Sequence, residues 1–451
     1  MEHKRFSYKH LSELQEDILK AGVDLPVSGN LDILKQTLAL PTGKRLPNRL
    51  VVHPMEGCDG TLAGVPDELT FRRYRRFSSG GAGLLWMEAC AILHEGRANP
   101  RQIYLNRENL PVFGNLMDEI RQTAIECLGE ENQPYTVLQL THSGRYSKPA
   151  ADAEAIVAVS ENPYLDTFSN PKRRLISDSE LERLEDDYVE AAKLAQSVGF
   201  HAVDIKACHR YLISELLSAH TRPGRYGGSF ENRTRFLLNI IDKVRTNVDI
   251  DITLRLNAYD GIPYPYGWGT DENGNPDLEE PKKLMQILES KGVFLVNIST
   301  GNPYYNPHIG RPCDIGPYVA PEHPLESIAR MLHIIRNMKL SAPSISVIGT
   351  GFSWFREYGA NVAAGCIERG WMDLAGFGRQ SFAYPDFAKD ILANGKMDRK
   401  KCCIACTKCS ELMRFGGVSG CVIKDSKVYL PIWKETTNGR TIMSDKPGIH
   451  I

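Results

Sequence analysis

SDSELERLEDDYVEAAKLAQSVGFHAVDIKA, residues 177–207, holds one complete step from helix to strand. Ser177 and Glu180 have the spacing of a capping box, in which each side chain bonds the other's backbone N–H. Leu181, Leu184, Tyr188, Ala191, Ala192 and Ala195 return at three- and four-residue intervals and so share one helical stripe, and Gly199 stands where the helix stops. HAVDIKA (201–207) follows directly as a short strand. The same alternation extends in both directions. RLVVHP (49–54), AGLLWMEA (82–89), YTVLQLTH (135–142), DITLRLN (251–257), VFLVNIS (293–299), ISVIG (345–349) and MDLAGFG (372–378) bring such runs to eight. Aliphatic strands separated by helices indicate a parallel sheet covered on both faces, and eight of them predict an α/β fold closed as a (β/α)8 TIM barrel. Residues 41–395 carry this pattern, residues 1–40 read as an N-terminal helical extension, and residues 261–283, rich in Gly, Pro, Asp and Asn, read as a long loop. From Lys396 the pattern stops, and residues 396–451 form a cysteine-rich segment.

The chain of 451 residues has a net charge of −1 with acids and bases interspersed, which gives no electrostatic reason to expect nucleic acid or an anionic membrane as partner. Its first residues, MEHKRFSYKHLSELQEDILK, lack the apolar stretch of a signal peptide, and no apolar run reaches membrane-spanning length. A cytoplasmic protein is expected. Its eleven cysteines are then reduced thiols or metal ligands.

Cys403, Cys406 and Cys409 form a C-x2-C-x2-C run, and Cys421 follows after eleven more residues. Three thiolates two residues apart can turn onto three corners of a cubane, with a distant fourth closing the cage. This is the spacing of a [4Fe-4S] site. A structural zinc and unrelated buried thiols are the alternatives. Cys402 adds a fifth thiol beside the first ligand, and the sequence leaves open which of Cys402 and Cys403 binds.

In a barrel of this kind chemistry gathers at the C-terminal ends of the strands. Gln139 ends the third run and can exchange two hydrogen bonds with a planar heterocycle such as a flavin pyrimidine ring, or simply cap loop backbone. Arg255 in the fifth run is a guanidinium in an apolar strand, which requires an anion or a structural ion pair. The seventh and eighth runs end in Gly349-Thr350-Gly351 and Gly376-Phe377-Gly378-Arg379, where glycine admits a phosphate to backbone N–H groups and arginine supplies charge.

Together these strings resemble the Old Yellow Enzyme superfamily of NADH:flavin oxidoreductases, and within it the iron–sulfur branch that contains 2,4-dienoyl-CoA reductase. The similarity runs from about Pro41 to Ile423. It rests on Asn48-Arg49, Pro54-Met55, Gly81-Ala82-Gly83-Leu84, the string from Gln139 to Arg145, Tyr226 to Arg233, Arg255-Leu256-Asn257, Gly376 to Gln380, and Pro385-Asp386-Phe387. The resemblance implies an FMN held by Pro54, Met55, Glu56, Ala89, Gln139, Arg255, Gly351, Phe352, Gly376, Gly378 and Arg379, with Arg255 beside the flavin N1 edge to stabilise the anionic reduced ring. It also implies a homo-oligomer.

Relatives commonly carry histidine where Lys206 stands in Lys206-Ala207-Cys208-His209-Arg210-Tyr211. Lys206 and His209 are expected to hold a substrate carbonyl while Tyr211 delivers a proton; His308, in the loop after the sixth strand, is a second candidate acid. The cysteine string departs too, with two residues where relatives have three between the second and third ligands. The implied reaction is reduction of an activated C=C bond, of enone or enoyl type, by hydride from flavin N5. The alternatives are a dehydrogenase for an amine or saturated carbonyl compound, or an electron-transfer subunit of a larger complex. No Gly-x-Gly-x-x-Gly string follows a strand, so electrons are expected from NAD(P)H directly or from a donor protein.

Overall fold

The computed structural model of the chain describes residues 5–168, 170–314 and 318–437; residues 1–4 of the N-terminal extension and 438–451 of the cysteine-rich segment lie outside the described residues. All eight runs become parallel strands: β1 Leu50–Val52, β2 Leu84–Ala91, β3 Tyr135–Thr141, β4 Ala202–Ile205, β5 Asp251–Asn257, β6 Leu295–Ser299, β7 Ser346–Gly349 and β8 Leu374–Phe377. Each pairs with its neighbours in the chain, and β8 pairs with β1 through Gly376 and Val51, which closes the barrel. The sequence expectation of a TIM barrel is borne out.

The crossover helices are α1 Glu68–Ser78, α2 Leu110–Leu128, α3 Asp178–Ser197, α4 Phe230–Asn247, α5 Glu279–Ser290, α6 Pro324–Ser341, α7 Gly359–Glu368 and α8 Phe387–Asn394. In α3 the capping box forms as spaced, Ser177 N–H donating to Glu180 at 2.8 Å and Glu180 N–H to Ser177 at 3.2 Å, and all six stripe residues are buried. Each buried leucine of such a stripe stabilises the packing by roughly 2 kcal/mol. The loop expected over 261–283 ends sooner. Glu279, Glu280 and Pro281 start α5, because acids and an early proline suit a helix N-terminus.

Two apolar layers fix the barrel. Inside it, Val51, Leu84, Trp86, Val137, Leu295, Ile348 and Leu374 pack together, with Leu40 and Leu46 from a two-stranded ribbon (Leu38–Ala39 with Arg45–Leu46) joining the same cluster. Outside it, the strands and helices share one large core. In β2 the register shifts between Met87 and Ala89, so Glu88 is a bulged residue whose carboxylate turns to Arg73 of α1 and to the Gly57 N–H at 2.7 Å. The cysteine-rich segment adds α9 Lys408–Arg414 and α10 Ser426–Thr437. Met397, Cys402, Cys403 and Ala405 belong to the outer core, so this segment packs as part of the barrel.

Candidate active site

The C-terminal ends of the strands open into one cleft, about 1260 Å³ of space between protein atoms with part of it open to solvent. Its organising group lies beneath it. Asp204 of β4 is fully buried and accepts from Trp86 Nε1 at 2.8 Å, Gln139 Nε2 at 2.5 Å and the Arg255 backbone N–H at 2.6 Å. Burial raises its carboxyl to about 6 despite these three donors. Gln139 thus spends one of its two amide N–H groups on the protein and also lines the cleft.

Arg255 lines the cleft, and among the described residues no carboxylate lies within ion-pair distance of its guanidinium. Its Nε is buried without a hydrogen-bond partner. Of the two readings open for it, the structural ion pair is not formed among the described residues. A similar vacancy of partners recurs at the far end, where Thr350, Gly351, Gly376, Gly378 and Arg379 line the wall. Gly351 sits at φ +101, which favours glycine, and Arg379 donates from Nη2 to the Pro312 carbonyl at 2.8 Å while its buried Nη1 has no partner.

The charged groups lining the cleft are Lys206, Arg255, Arg311 and Arg379 against Glu56 alone. An excess of cations with unpartnered guanidinium N–H groups, around a space of this size, fits a flavin ring with a phosphate tail. Pro54 and Met55 complete the same wall. The residues present thus suit FMN by charge, by donors and by room.

Lys206, Glu56 and Tyr211 form a triad in this cleft. Lys206 donates to Glu56 at 3.1 Å, with its ammonium 3.9 Å from the centre of the Tyr211 ring, and the Tyr211 hydroxyl donates to the same Glu56 oxygen at 3.4 Å. Glu56, expected to touch FMN, lines the cleft and accepts from both of these side chains. Burial, then Glu56 and Tyr304, hold the Tyr211 phenol well above the usual tyrosine range. His209 also lines the cleft; burial, then the cations Arg255, Lys206 and Arg311, hold it neutral. It stands at φ +64 beside Arg210 at φ +61, two non-glycine residues in the left-handed region, a costly turn fixed by the Arg210 to Asp260 pair at 2.9 Å.

Three expected site residues lie elsewhere. His308 shares Nδ1 with the Tyr318 hydroxyl at 2.6 Å and sets Nε2 3.4 Å from Glu322, outside the cleft lining. Ala89 is buried in β2, its carbonyl accepting from Gln102 at 3.0 Å, and Phe352 packs against Phe377; neither reaches the cleft. Conversely, the lining includes groups without a sequence signal: Arg311, Tyr304, and Ser410, Met413 and Ser419 from the cysteine-rich segment. Arg311 lies in a loop and has no periodicity to mark it. His53 also lines the cleft and bonds Asn297 through Nδ1 at 2.9 Å.

Cys403, Cys406, Cys409 and Cys421 line a second, smaller cavity together with Arg379, Phe382, Lys408 and Lys424. The Ala405 and Lys424 backbone N–H groups donate to the Cys403 and Cys421 sulfurs at 3.4 and 3.3 Å. Cys402 is turned out, donating to the Asp398 carbonyl at 3.3 Å, so the geometry favours Cys403 of the two. Among the described residues no group of three or more His, Cys, Asp or Glu converges on a single ion. Arg379 and Cys409 line both cavities, so the two sites share a wall.

A profile of the NADH:flavin oxidoreductase / NADH oxidase family matches residues 40–266. The chain is 26% identical over 370 residues to an NADH oxidase of Thermoanaerobacter brockii, covering 80% of this chain and 50% of that protein. It is 30% identical over 262 residues to an NADPH dehydrogenase of Listeria innocua serovar 6a, covering 57% and 70%. A solved structure of a 2-naphthoyl-CoA reductase with 2-naphthoyl-CoA shares the fold at TM-score 0.71 and 20% identity, over 87% of this chain and 57% of that one. The chain thus spans about half the length of some of the relatives it matches.

Proposed function

The chain belongs to the NADH:flavin oxidoreductase / NADH oxidase family, and from that premise we propose an FMN-dependent NAD(P)H oxidoreductase that reduces an activated C=C bond of enone or enoyl type. The observation that carries the reading is the cation-rich cleft, with unpartnered Arg255 and Arg379 N–H groups on its walls and the Tyr211 hydroxyl within it. Gly351, Gly378 and Arg379 would hold the phosphate of FMN, and Gln139 and Arg255 its ring. Bound FMN would supply the hydride, taken from NAD(P)H and passed to the activated carbon.

The rest is the work of side chains. Lys206 and the neutral His209 donate to the substrate carbonyl oxygen and so draw electron density from the conjugated double bond. Tyr211, kept protonated by burial, is the proton donor, and Glu56 holds the phenol and the ammonium at one place by accepting from both. Glu56 also decides between directions. It is the one carboxylate among the lining residues and is neutralised by Lys206, so the cleft offers no spare counter-ion to an ammonium substrate, which favours reduction over amine oxidation.

The four thiols are proposed to hold a [4Fe-4S] cluster, whose chemistry would be one-electron exchange. Burial pushes the Cys403 thiol up to about 12, so that sulfur would ionise only beside a cationic centre. The test is an anaerobic visible spectrum with iron, zinc and flavin quantified, followed by 2-cyclohexenone turnover with NADH and NADPH. About four irons and one FMN per chain with enone turnover support the reading. Absence of flavin overturns it, and flavin with zinc removes the cluster alone.

A further inference from the structure

The surface over the cysteine cavity is charged unlike the rest of the chain. Against an overall net charge of −1, residues 396–437 contain nine Lys or Arg and four Asp or Glu. Two of those acids are engaged inside. Asp425 is held by Arg72 at 2.7 and 2.9 Å and by Arg76, and Glu411 is buried and accepts from Trp433 Nε1 at 3.2 Å.

The cations instead form a collar. Lys408 and Lys424 line the cavity itself. Lys424 reaches the Lys400 carbonyl at 2.6 Å, which brings the exposed Lys400 alongside, and the exposed Lys427 stands at the start of α10. On the other side the Lys408 ammonium lies 3.6 Å from the centre of the Trp433 ring, next to the exposed Lys434. Lys401 is half neutralised by Asp390 at 2.9 Å. Inside the collar Cys406, Cys409 and Cys421 are only partly buried, and Ile423, which lines the same cavity, is 38% exposed. An apolar centre that can be desolvated, within a charged rim that steers encounter, is the build of a transient protein interface.

We infer that this collar docks an acidic one-electron carrier protein. The inference rests on the cluster proposed for the four thiols. Each encounter passes one electron inward, so two reduced carriers are oxidised for each C=C bond reduced, and the two protons taken up come from solvent, one of them through Tyr211. A nucleic acid would need a track of cations rather than a ring, and would make no use of Ile423 and the thiols at its centre.

The test uses the full chain with its cofactors and a plant-type [2Fe-2S] ferredoxin as the acidic probe, with anionic lipid vesicles and duplex DNA as competitors for the same face. Binding is followed by calorimetry, and flavin reduction by anaerobic stopped flow, across ionic strengths from about 0.05 to 0.3 M. Both should weaken by roughly tenfold or more over that range, and the triple variant Lys400→Glu, Lys427→Glu, Lys434→Glu should bind roughly tenfold more weakly at low salt with iron, flavin and NAD(P)H-driven reduction unchanged. Ferredoxin that fails to bind at low salt, a triple variant that binds as the parent does, or binding of vesicles or DNA in its place overturns the inference. Iron analysis separates the two readings: four irons without docking sinks the collar, whereas docking without iron leaves the collar and sinks the cluster.

Discussion

Arg255 is defined by the contact it lacks. Its backbone N–H is fixed by Asp204 at 2.6 Å, which sets the strand, while the guanidinium Nε stays buried without a partner. Such a group costs free energy unless a ligand supplies the acceptor. Arg255→Met fills the same space without charge, and FMN should then bind roughly 10- to 100-fold more weakly with a more negative flavin potential. Flavin fluorescence after ultrafiltration and a redox titration check this, and unchanged affinity and potential would remove Arg255 from the site. Tyr211→Phe should leave flavin reduction by NAD(P)H intact and slow enone reduction by roughly 10² or more, resolved by stopped flow on the two half-reactions. Equal losses in both halves would mean a structural role. His142 gives a pH test of the buried interior. Burial lowers its imidazole to about 4, so the unfolded chain takes the proton first. The contribution of His142 to stability is therefore flat above about pH 6.5 and declines as pH falls from there toward 4, by up to about 3 kcal/mol. His142→Asn should flatten that slope in denaturant titrations at pH 7 and pH 5, whatever its cost at neutral pH.

At the level of elements, the barrel was legible and its site only partly so. Strands covered on both faces must be aliphatic throughout, and the helix stripe of α3 must repeat every three or four residues, so burial itself wrote both patterns into the chain. Loops carry no such period. That is why His308 read as a candidate acid although Tyr318 and Glu322 claim its two nitrogens, and why Arg311 went unread. Lys206 was legible as a departure, but its partner Glu56 is 150 residues away and only folding brings them to 3.1 Å. The clasp between α1 and α10 is of the same long-range kind. Arg72 and Arg76, one turn apart on α1, both donate to Asp425, and this anchors the loop that carries Cys421. Asp425→Asn weakens three charge-assisted bonds at once and leaves two guanidiniums without their carboxylate. Iron should then be lost to a chelator several times faster, with flavin content unchanged, as followed by bleaching near 400 nm. Equal release rates would show that the clasp does not hold the cysteines.

For the whole molecule the decisive feature is that the cysteine-rich segment is a wall of the flavin cleft, not an appendage. Ser410, Met413 and Ser419 line the cleft, Arg311 donates to the Ser410 hydroxyl at 2.5 Å, and the Ser419 N–H donates to the Gly57 carbonyl at 2.6 Å beside Glu56. The Cys403 N–H donates to Gln380 at 3.0 Å, and Met397, Cys402 and Cys403 are buried in the barrel's own core. Removing the segment would expose that apolar surface, unpair Arg311 and open one side of the site at the same time. A chain cut after Gly395 should accordingly fail to retain stoichiometric FMN and should melt well below the parent, while in the parent flavin release and loss of far-ultraviolet ellipticity should coincide in a single transition. A truncated barrel that kept its flavin and its melting temperature would mean that the shared wall is contact without consequence, and the coupling between the two cavities through Arg379 and Cys409 would lose its structural basis.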